Sequence, residues 1–230
     1  QKTAYEIRNC DWSSDVCSSD LIKQPTPKPH VNVHGGIFAK LTDRNISKET
    51  AEKYGVKVVY DSNGQLAQHL YPFYINHEQC ATKIRYIRDK NFKFEGTIQD
   101  SGLFGQNLFK EGGKYLTIVE GECDAMATYE LLGSKWAVVS IKRGAASAVK
   151  DVKESLEYVE SFDNVVVTYT LCSITDAVTA LKEVKRLLKP HGKLYFCEHG
   201  KASDKSMAAL QKLLEPLSQV IGGGCCPGKD

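Results

Sequence analysis

In Val119-Glu120-Gly121-Glu122-Cys123-Asp124-Ala125-Met126, an apolar run ends in a carboxylate and a helix begins. Tyr115–Val119 ahead of it is short and apolar, as a buried strand is. Cys123–Leu132 behind it has helical spacing and closes at Gly133. A strand ending at Glu120 and a helix carrying Asp124 in its first turn bring the two carboxylates to one point. In an open α/β sheet that point lies at the carboxyl ends of the strands, where ligands bind. Paired carboxylates there suit Mg²⁺ and phosphoryl chemistry, so Glu120 and Asp124 are the candidate catalytic and metal-binding residues. First-turn acids also simply favour the helix dipole, and spacing alone leaves both readings open.

Outward from this stretch the alternation continues. Trp136–Ile141 reads as a strand, and Ser147–Tyr158 as a helix with Ala148, Val152, Leu156 and Val159 at helical spacing. Val165–Tyr169 is a third strand and Asp176–Leu188 a helix; after the turn at Pro190-His191-Gly192, Lys193–Glu198 is a strand and Ser206–Leu214 a last helix. Upstream, Lys48–Tyr54 is a short helix between Ser47 and the C-capping Gly55. Val56–Tyr60 reads as a strand, Asp61–Gly64 as a turn, Leu66–Ile75 as a strand interrupted by Pro72, and Lys83–Ile87 as a half-exposed strand. The fold class is therefore α/β: a mostly parallel sheet with helices on both faces, preceded by a small α+β subdomain, with an irregular N-terminal stretch of about 30 residues.

Bulk properties exclude little more. The 230 residues are 42% hydrophobic and 25% charged, ordinary for a globular protein, and the net charge is +2. Any nucleic-acid affinity must therefore come from local patches. No apolar run approaches the roughly 20 residues that span a bilayer, and no secretory h-region is visible, which predicts a cytoplasmic protein and no membrane partner. The eight cysteines form no CxxC pair and give no disulfide framework.

Basic residues cluster twice. Lys83, Arg85, Arg88, Lys90 and Lys93, with Tyr86 and Phe92 between them, suit a charged and stacking surface for nucleic acid. They suit a lysine-protected strand edge nearly as well. Lys142-Arg143-Gly144, between a strand and a helix, suits phosphate approach or a plain connecting turn.

From about His34 to Asp163 the chain resembles the polymerase region of phage replicative primase–helicases, which contains a Toprim fold. The resemblance is carried by Leu41-Thr42-Asp43-Arg44-Asn45-Ile46-Ser47, Thr50–Val56, Lys83-Ile84-Arg85, Lys90-Asn91-Phe92, Leu103–Phe109, Val119–Met126, and Val139-Ser140 with Gly144-Ala145-Ala146-Ser147. It implies that Glu120 is the Toprim glutamate, supported by Asp124, with Mg²⁺ as cofactor. Lys83 and Lys90 would contact nucleotide phosphates, single-stranded DNA and ribonucleotides would be the partners, and the setting would be the cytoplasm of a bacterial or phage-infected cell. That family also needs an Asp-x-Asp pair after its next strand, where Thr170 and Cys172 stand here. A hydroxyl and a thiol cannot replace two anionic oxygens for a hard cation, so no primer synthesis is expected. The family's cysteine-quartet zinc module and phosphate-loop helicase have no counterpart in this sequence.

From about Ser161 the resemblance changes. Ser161–Ile174 looks like the fourth strand and following turn of a class I S-adenosylmethionine-dependent methyltransferase, and Ala180–His199 like its next helix, turn and strand. The tail to Cys225 is similar to the thiol and arsenite members. The Gly-rich loop and ribose-binding acid of that family do not precede Ser161, so S-adenosylmethionine is not expected as a cofactor. Glu198-His199 read as ordinary strand-end residues or as polar groups at the substrate end of the sheet, and Cys225-Cys226 as a reduced tail or a thiophilic-metal pair. Asp11–Leu21 resembles the conceptual translation of a sequencing adapter. The expected organisation is a leader at 1–30, an α+β subdomain at 31–112, a partial Toprim domain at 113–163, and a methyltransferase-derived segment at 164–230 that extends the sheet. Inactive primase, inactive methyltransferase and non-catalytic nucleic-acid-binding module remain as function classes.

Overall fold

The computed structural model describes residues 35–144, 147–168, 171, 176–197 and 200–221. The adapter-like stretch, Thr170, Cys172, Glu198, His199 and Cys225-Cys226 lie outside them.

Helix α1 (Lys48–Lys53) starts where Ser47 Oγ accepts from the Thr50 N–H at 3.2 Å, and it ends at Tyr54. Gly55 follows with φ +70°, and a Cβ there would lie 3.1 Å from Pro72 Cγ, so the stop needs glycine twice over. Strands β1 (Lys57–Tyr60), β2 (Leu66–Ile75), β3 (Glu78–Tyr86) and β4 (Phe92–Gly96) form an antiparallel sheet in sequence order. The β1–β2 turn closes on Asp61, whose Oδ1 accepts from the N–H groups of Asn63 and Gln65.

Two expectations are corrected here. Pro72 does not interrupt β2; it pairs in register with Thr82. The last β1 pairing is Lys57 with Leu70, so on that side Pro72 has no ladder to break. Strand β3 starts before Lys83, and its middle is buried rather than half-exposed, because the acidic turn packs over it.

The second sheet contains β5 (Gly113–Val119), β6 (Ala137–Ser140), β7 (Phe162–Thr168) and β8 (Leu194–Cys197), all parallel, in the order β6-β5-β7-β8. The chain leaves β5 through α2 (Glu122–Leu131) toward β6. It returns through α3 (Ala148–Glu154) and α4 (Leu156–Glu160) to β7, then passes through α5 (Ala177–Leu187) to β8 and on to α6 (Lys205–Ile221). Connections leave β5 and β7 in opposite directions, so the topological switch point lies between them. The single helix expected over Ser147–Tyr158 divides at Ser155, whose N–H takes the tighter bond to Val152 O. The last helix outruns its expected end and includes Pro216.

Two apolar clusters hold these layers. One joins the antiparallel sheet and α1 to α2: Tyr54, Tyr71, Phe73, Phe104, Met126 and Tyr129. Phe104 stacks on Tyr54 at 5.5 Å, and burying a ring of this size is worth about 1.5–3 kcal/mol. Tyr54 donates to Val138 O at 2.9 Å, and burial raises its hydroxyl pKa well above the ordinary value. The other cluster lies on the opposite face of the parallel sheet, where Ile118, Val139, Val165 and Val167 meet Ala148, Val159 and Ala180. Helices thus cover both faces. Among the described residues no helix is long and apolar enough to cross a membrane.

Candidate functional site

Glu120 follows β5 directly, and Asp124 stands in the first turn of α2. Both reach the carboxyl end of the sheet. Because Val119 pairs with Thr168, the turn lies beside the end of β7, at the switch point. Gly121 is the hinge of the turn: a Cβ there would lie 2.7 Å from Asp124 Oδ2. Crowding by the surrounding protein raises the Asp124 carboxyl above its ordinary value, although the side chain keeps contact with solvent. Arg44, the Gly121 N–H and Arg85 pull the other way.

The middle acid, Glu122, has a different task. It is 4% exposed and accepts from Lys83 Nζ at 2.7 Å, and Lys83 is itself 8% exposed. The same ammonium donates to Lys142 O at 3.3 Å. Lys83 is therefore an internal tie between the two sheets and not a solvent-facing phosphate contact, which corrects the sequence expectation. Two oppositely charged ends 39 residues apart are buried together because each alone would carry a large desolvation cost.

Lys142 and Arg143 are corrected for a related reason. Lys142 is fully buried, and its Nζ donates to Ser101 O at 2.8 Å, Gln99 O at 3.2 Å and Glu154 Oε2 at 2.7 Å. Arg143 donates through Nε to Asp151 Oδ1 at 2.9 Å and pairs with it through Nη2 as well. Asp151, also fully buried, accepts from the N–H groups of Lys142 and Arg143. These donors are turned toward the protein rather than toward an incoming phosphate.

Arg85, Arg88 and Lys90 remain at the turn end of the β3–β4 hairpin. Arg88 and Lys90 are exposed, and Lys90 holds a positive φ of +54° in the turn. Arg85 lies with its guanidinium carbon 5.9 Å from the Phe92 ring, and its buried Nε has no partner among the described residues. Alternation puts Tyr86 on the other face of β3, so it does not share a stacking surface with Phe92.

Sequence reasoning missed four contributors. Arg44 opposes the burial of Asp124 and lay unassigned within a recognised segment. Asp151 looked like an ordinary helix residue. Asp43 and His69 belong to a polar chain behind the acidic turn: His69 Nδ1 meets Tyr71 Oη at 2.9 Å, and Tyr71 Oη meets Cys123 Sγ at 3.1 Å. His69 Nε2 lies 3.0 Å from Asp43 Oδ1, off the line of an aligned hydrogen bond. Burial lowers the His69 pKa, partly offset by Asp43, and burial raises the Cys123 thiol. No periodicity marks such a chain.

Among the described residues, Glu120 and Asp124 do not by themselves complete a ligand set for a divalent cation. Among the described residues no three His, Cys, Asp or Glu side chains converge as metal ligands, and Glu122 is spent on Lys83. S-Adenosylmethionine fits no better. The β5–α2 turn has one glycine, and the Asp124 carboxylate fills the space beside it, where a glycine-rich cradle would be open. Cys80 and Cys123 are free thiols.

The chain has two sets of relatives. The DNA helicase/primase of Enterobacteria phage T3 is 33% identical over 161 residues, 69% of this chain and 27% of the relative. The crystal structure of the primase fragment of the bacteriophage T7 primase-helicase superposes with a TM-score of 0.60 at 28% identity, covering 74% of this chain and 72% of that one. A structure of T7 lagging-strand DNA polymerase with primase domains bound to an RNA/DNA hybrid and dTTP gives a TM-score of 0.58 at 27% identity, with coverage of 83% and 94%. The methyltransferase-domain family model matches residues 107–196. Thiol S-methyltransferase TMT1B of Rattus norvegicus is 47% identical over 66 residues, 28% of this chain and 27% of the relative. The chain thus spans about a quarter of the length of either curated relative. The methyltransferase likeness reaches upstream of its expected start at Ser161 and takes in β5, α2 and β6.

Proposed function

We propose that this chain is a primase-type segment that binds single-stranded nucleic acid at the β3–β4 hairpin and does not synthesise primers. One observation carries the reading. Of the three acids in the Toprim-like turn, Glu122 is neutralised by Lys83 and Asp124 feels the charge of Arg85, while Arg88 and Lys90 are exposed in the β3–β4 turn. A site with that balance attracts a phosphate backbone but does not gather hard oxygen ligands for a cation pair. Thr170 and Cys172, in place of two aspartates, support the same view. The setting would be the cytoplasm of a bacterial or phage-infected cell.

The test combines two assays on the full chain. Incubation with single-stranded template, Mg²⁺ and ribonucleotides should yield no oligoribonucleotide, and any template-directed product overturns the inactive reading. A labelled single-stranded oligonucleotide should bind with strong salt dependence. Arg88→Ala/Lys90→Ala should reduce the slope of log K against log salt by about 0.7 for each phosphate no longer neutralised. Absence of binding at low salt removes the nucleic-acid reading. The family-model match over residues 107–196 favours a methyltransferase remnant as the second reading. A rise in melting temperature with S-adenosylmethionine would restore it.

A further inference from the structure

Phe92 and Phe94 are 48% and 42% exposed on β4, which among the described residues pairs only with β3 and forms an edge of its sheet. On β2 of the same sheet, by contrast, Tyr71 and Phe73 are each 1% exposed. Two neighbouring exposed rings on an open edge are an aggregation hazard unless something is meant to cover them.

Their surroundings indicate what that is. Alternation puts both rings on the face that carries Lys83 and Arg85, and the ladder sets Phe94 opposite Lys83 and Phe92 opposite Arg85. Lys83 Nζ lies 4.7 Å from the Phe92 ring centroid and 5.8 Å from that of Phe94. Lys83 is in turn anchored on Glu122, so a fixed cation holds both rings from the inner side while their remaining surface faces solvent. A ring already ordered loses little freedom when a flat group stacks on it. Residues i and i+2 of a strand lie roughly 6.8 Å apart, about twice the 3.4 Å rise between stacked bases. Exposed Arg88 and Lys90 continue the patch with positive charge. Lys93, on the opposite face, is paired with Glu95 at 3.0 Å.

The geometry points to Phe92 and Phe94 as a two-ring platform on which bases of single-stranded DNA stack, with Arg88 and Lys90 holding the adjoining phosphates. This assignment rests on the nucleic-acid reading above and adds the groups that read the bases. A second copy of the chain pairing along the β4 edge is the competing occupant.

The experiment measures binding of fluorescent oligo-dT, and of an abasic strand of equal length, to the full chain and its variants across a salt series. Phe92→Ala and Phe94→Ala should each weaken oligo-dT binding about tenfold, the usual worth of one stacked base, and leave the salt slope unchanged. The abasic strand should bind wild type and both variants equally. Phe92→Trp should retain affinity, with its fluorescence quenched on oligo-dT. If wild type binds oligo-dT with salt sensitivity but both alanine variants bind equally well, the platform is wrong and the electrostatic reading stands. If wild type binds no strand at any salt, both fail. If Phe92→Ala lowers the mass measured by sedimentation and spares DNA binding, the edge is a self-association surface and the platform is overturned.

Discussion

Replacing Lys83 by methionine keeps the length of the side chain and strands the Glu122 carboxylate, 4% exposed, without the ammonium 2.7 Å away. At an effective dielectric constant of about 20, charges at that separation attract by about 6 kcal/mol, and desolvation offsets part of this. Removing one member of a buried pair typically costs about 3–5 kcal/mol, because the other charge stays behind in the interior. For a chain of this size each kcal/mol moves the melting temperature by about 2–4 °C, so a fall of roughly 6–20 °C is expected. Urea denaturation followed by circular dichroism measures the difference. The double variant Lys83→Met/Glu122→Leu should recover most of the loss, since it removes both charges and keeps the volume. A Lys83→Met protein within about 0.5 kcal/mol of wild type, yet defective in oligonucleotide binding, would refute the internal tie and restore Lys83 as a direct phosphate contact.

Glu130, on α2, accepts from Ser47 N at 2.9 Å and from Ser47 Oγ at 2.5 Å, and so caps α1 from outside it. Burial is the largest single influence and opposes ionisation, but the bonds from Ser47 and Thr50, with the charge of Lys40, together outweigh it and lower the carboxyl pKa. A depressed folded value stabilises above the unfolded value of 4.5 and is lost as pH falls through the folded one. Glu130→Gln should therefore be less stable than wild type near neutral pH, with the gap closing in acid melts; a gap independent of pH would be wrong for this cause. A cavity of about 50 Å³ lies among Ile118, Val152, Val167, Ala180 and Val184. At about 24 cal/mol per Å³ it costs about 1.2 kcal/mol, so Val167→Ile should raise the melting temperature by a few degrees, and a fall would mean the space is already filled.

The acidic turn was legible because each of its parts is local: an apolar run, a strand-end acid, and an acid in the following helical turn. Asp176 at the start of α5 and Gly55 after α1 were legible in the same way, as capping chemistry acts over a few residues. What escaped depends on distance along the chain. Lys83 and Arg85 have identical local pattern, yet one is inside and the other at the rim, because Glu122 lies across from the first and not the second. Lys142 and Arg143 read as available donors until Asp151 and Glu154 are placed beside them. The division at Ser155 follows from tertiary packing of Tyr158 and Val159, each 3% exposed, which helical periodicity cannot anticipate.

The same contrast between backbone and side chain explains how a primase-like and a methyltransferase-like segment share one sheet. Strand pairing is generic: β7 hydrogen-bonds to β5 and β8 to β7 in unbroken parallel register, whatever the side chains are. Side-chain packing is not generic, and it thins with distance from β5. Leu116 and Val139 are fully buried. At α5 the contact with α3 includes the cavity and an ion pair, Lys153 with Glu183 at 3.6 Å. Beyond it, β8 leaves Phe196 66% exposed and α6 leaves Leu213 76% exposed. A βα unit can therefore extend a sheet through its main chain while much of its apolar surface stays in water. Catalysis at a switch point demands more, because its ligands come from the ends of two strands at once. Here Glu120 follows β5, and in the proposed reading Thr170 and Cys172 stand after β7 where a second pair of acids would be needed. Under the proposal of a primase-type segment that makes no primers, Thr170→Asp/Cys172→Asp is thus the substitution that supplies a second pair of acids, and template-directed oligoribonucleotide is the product to look for.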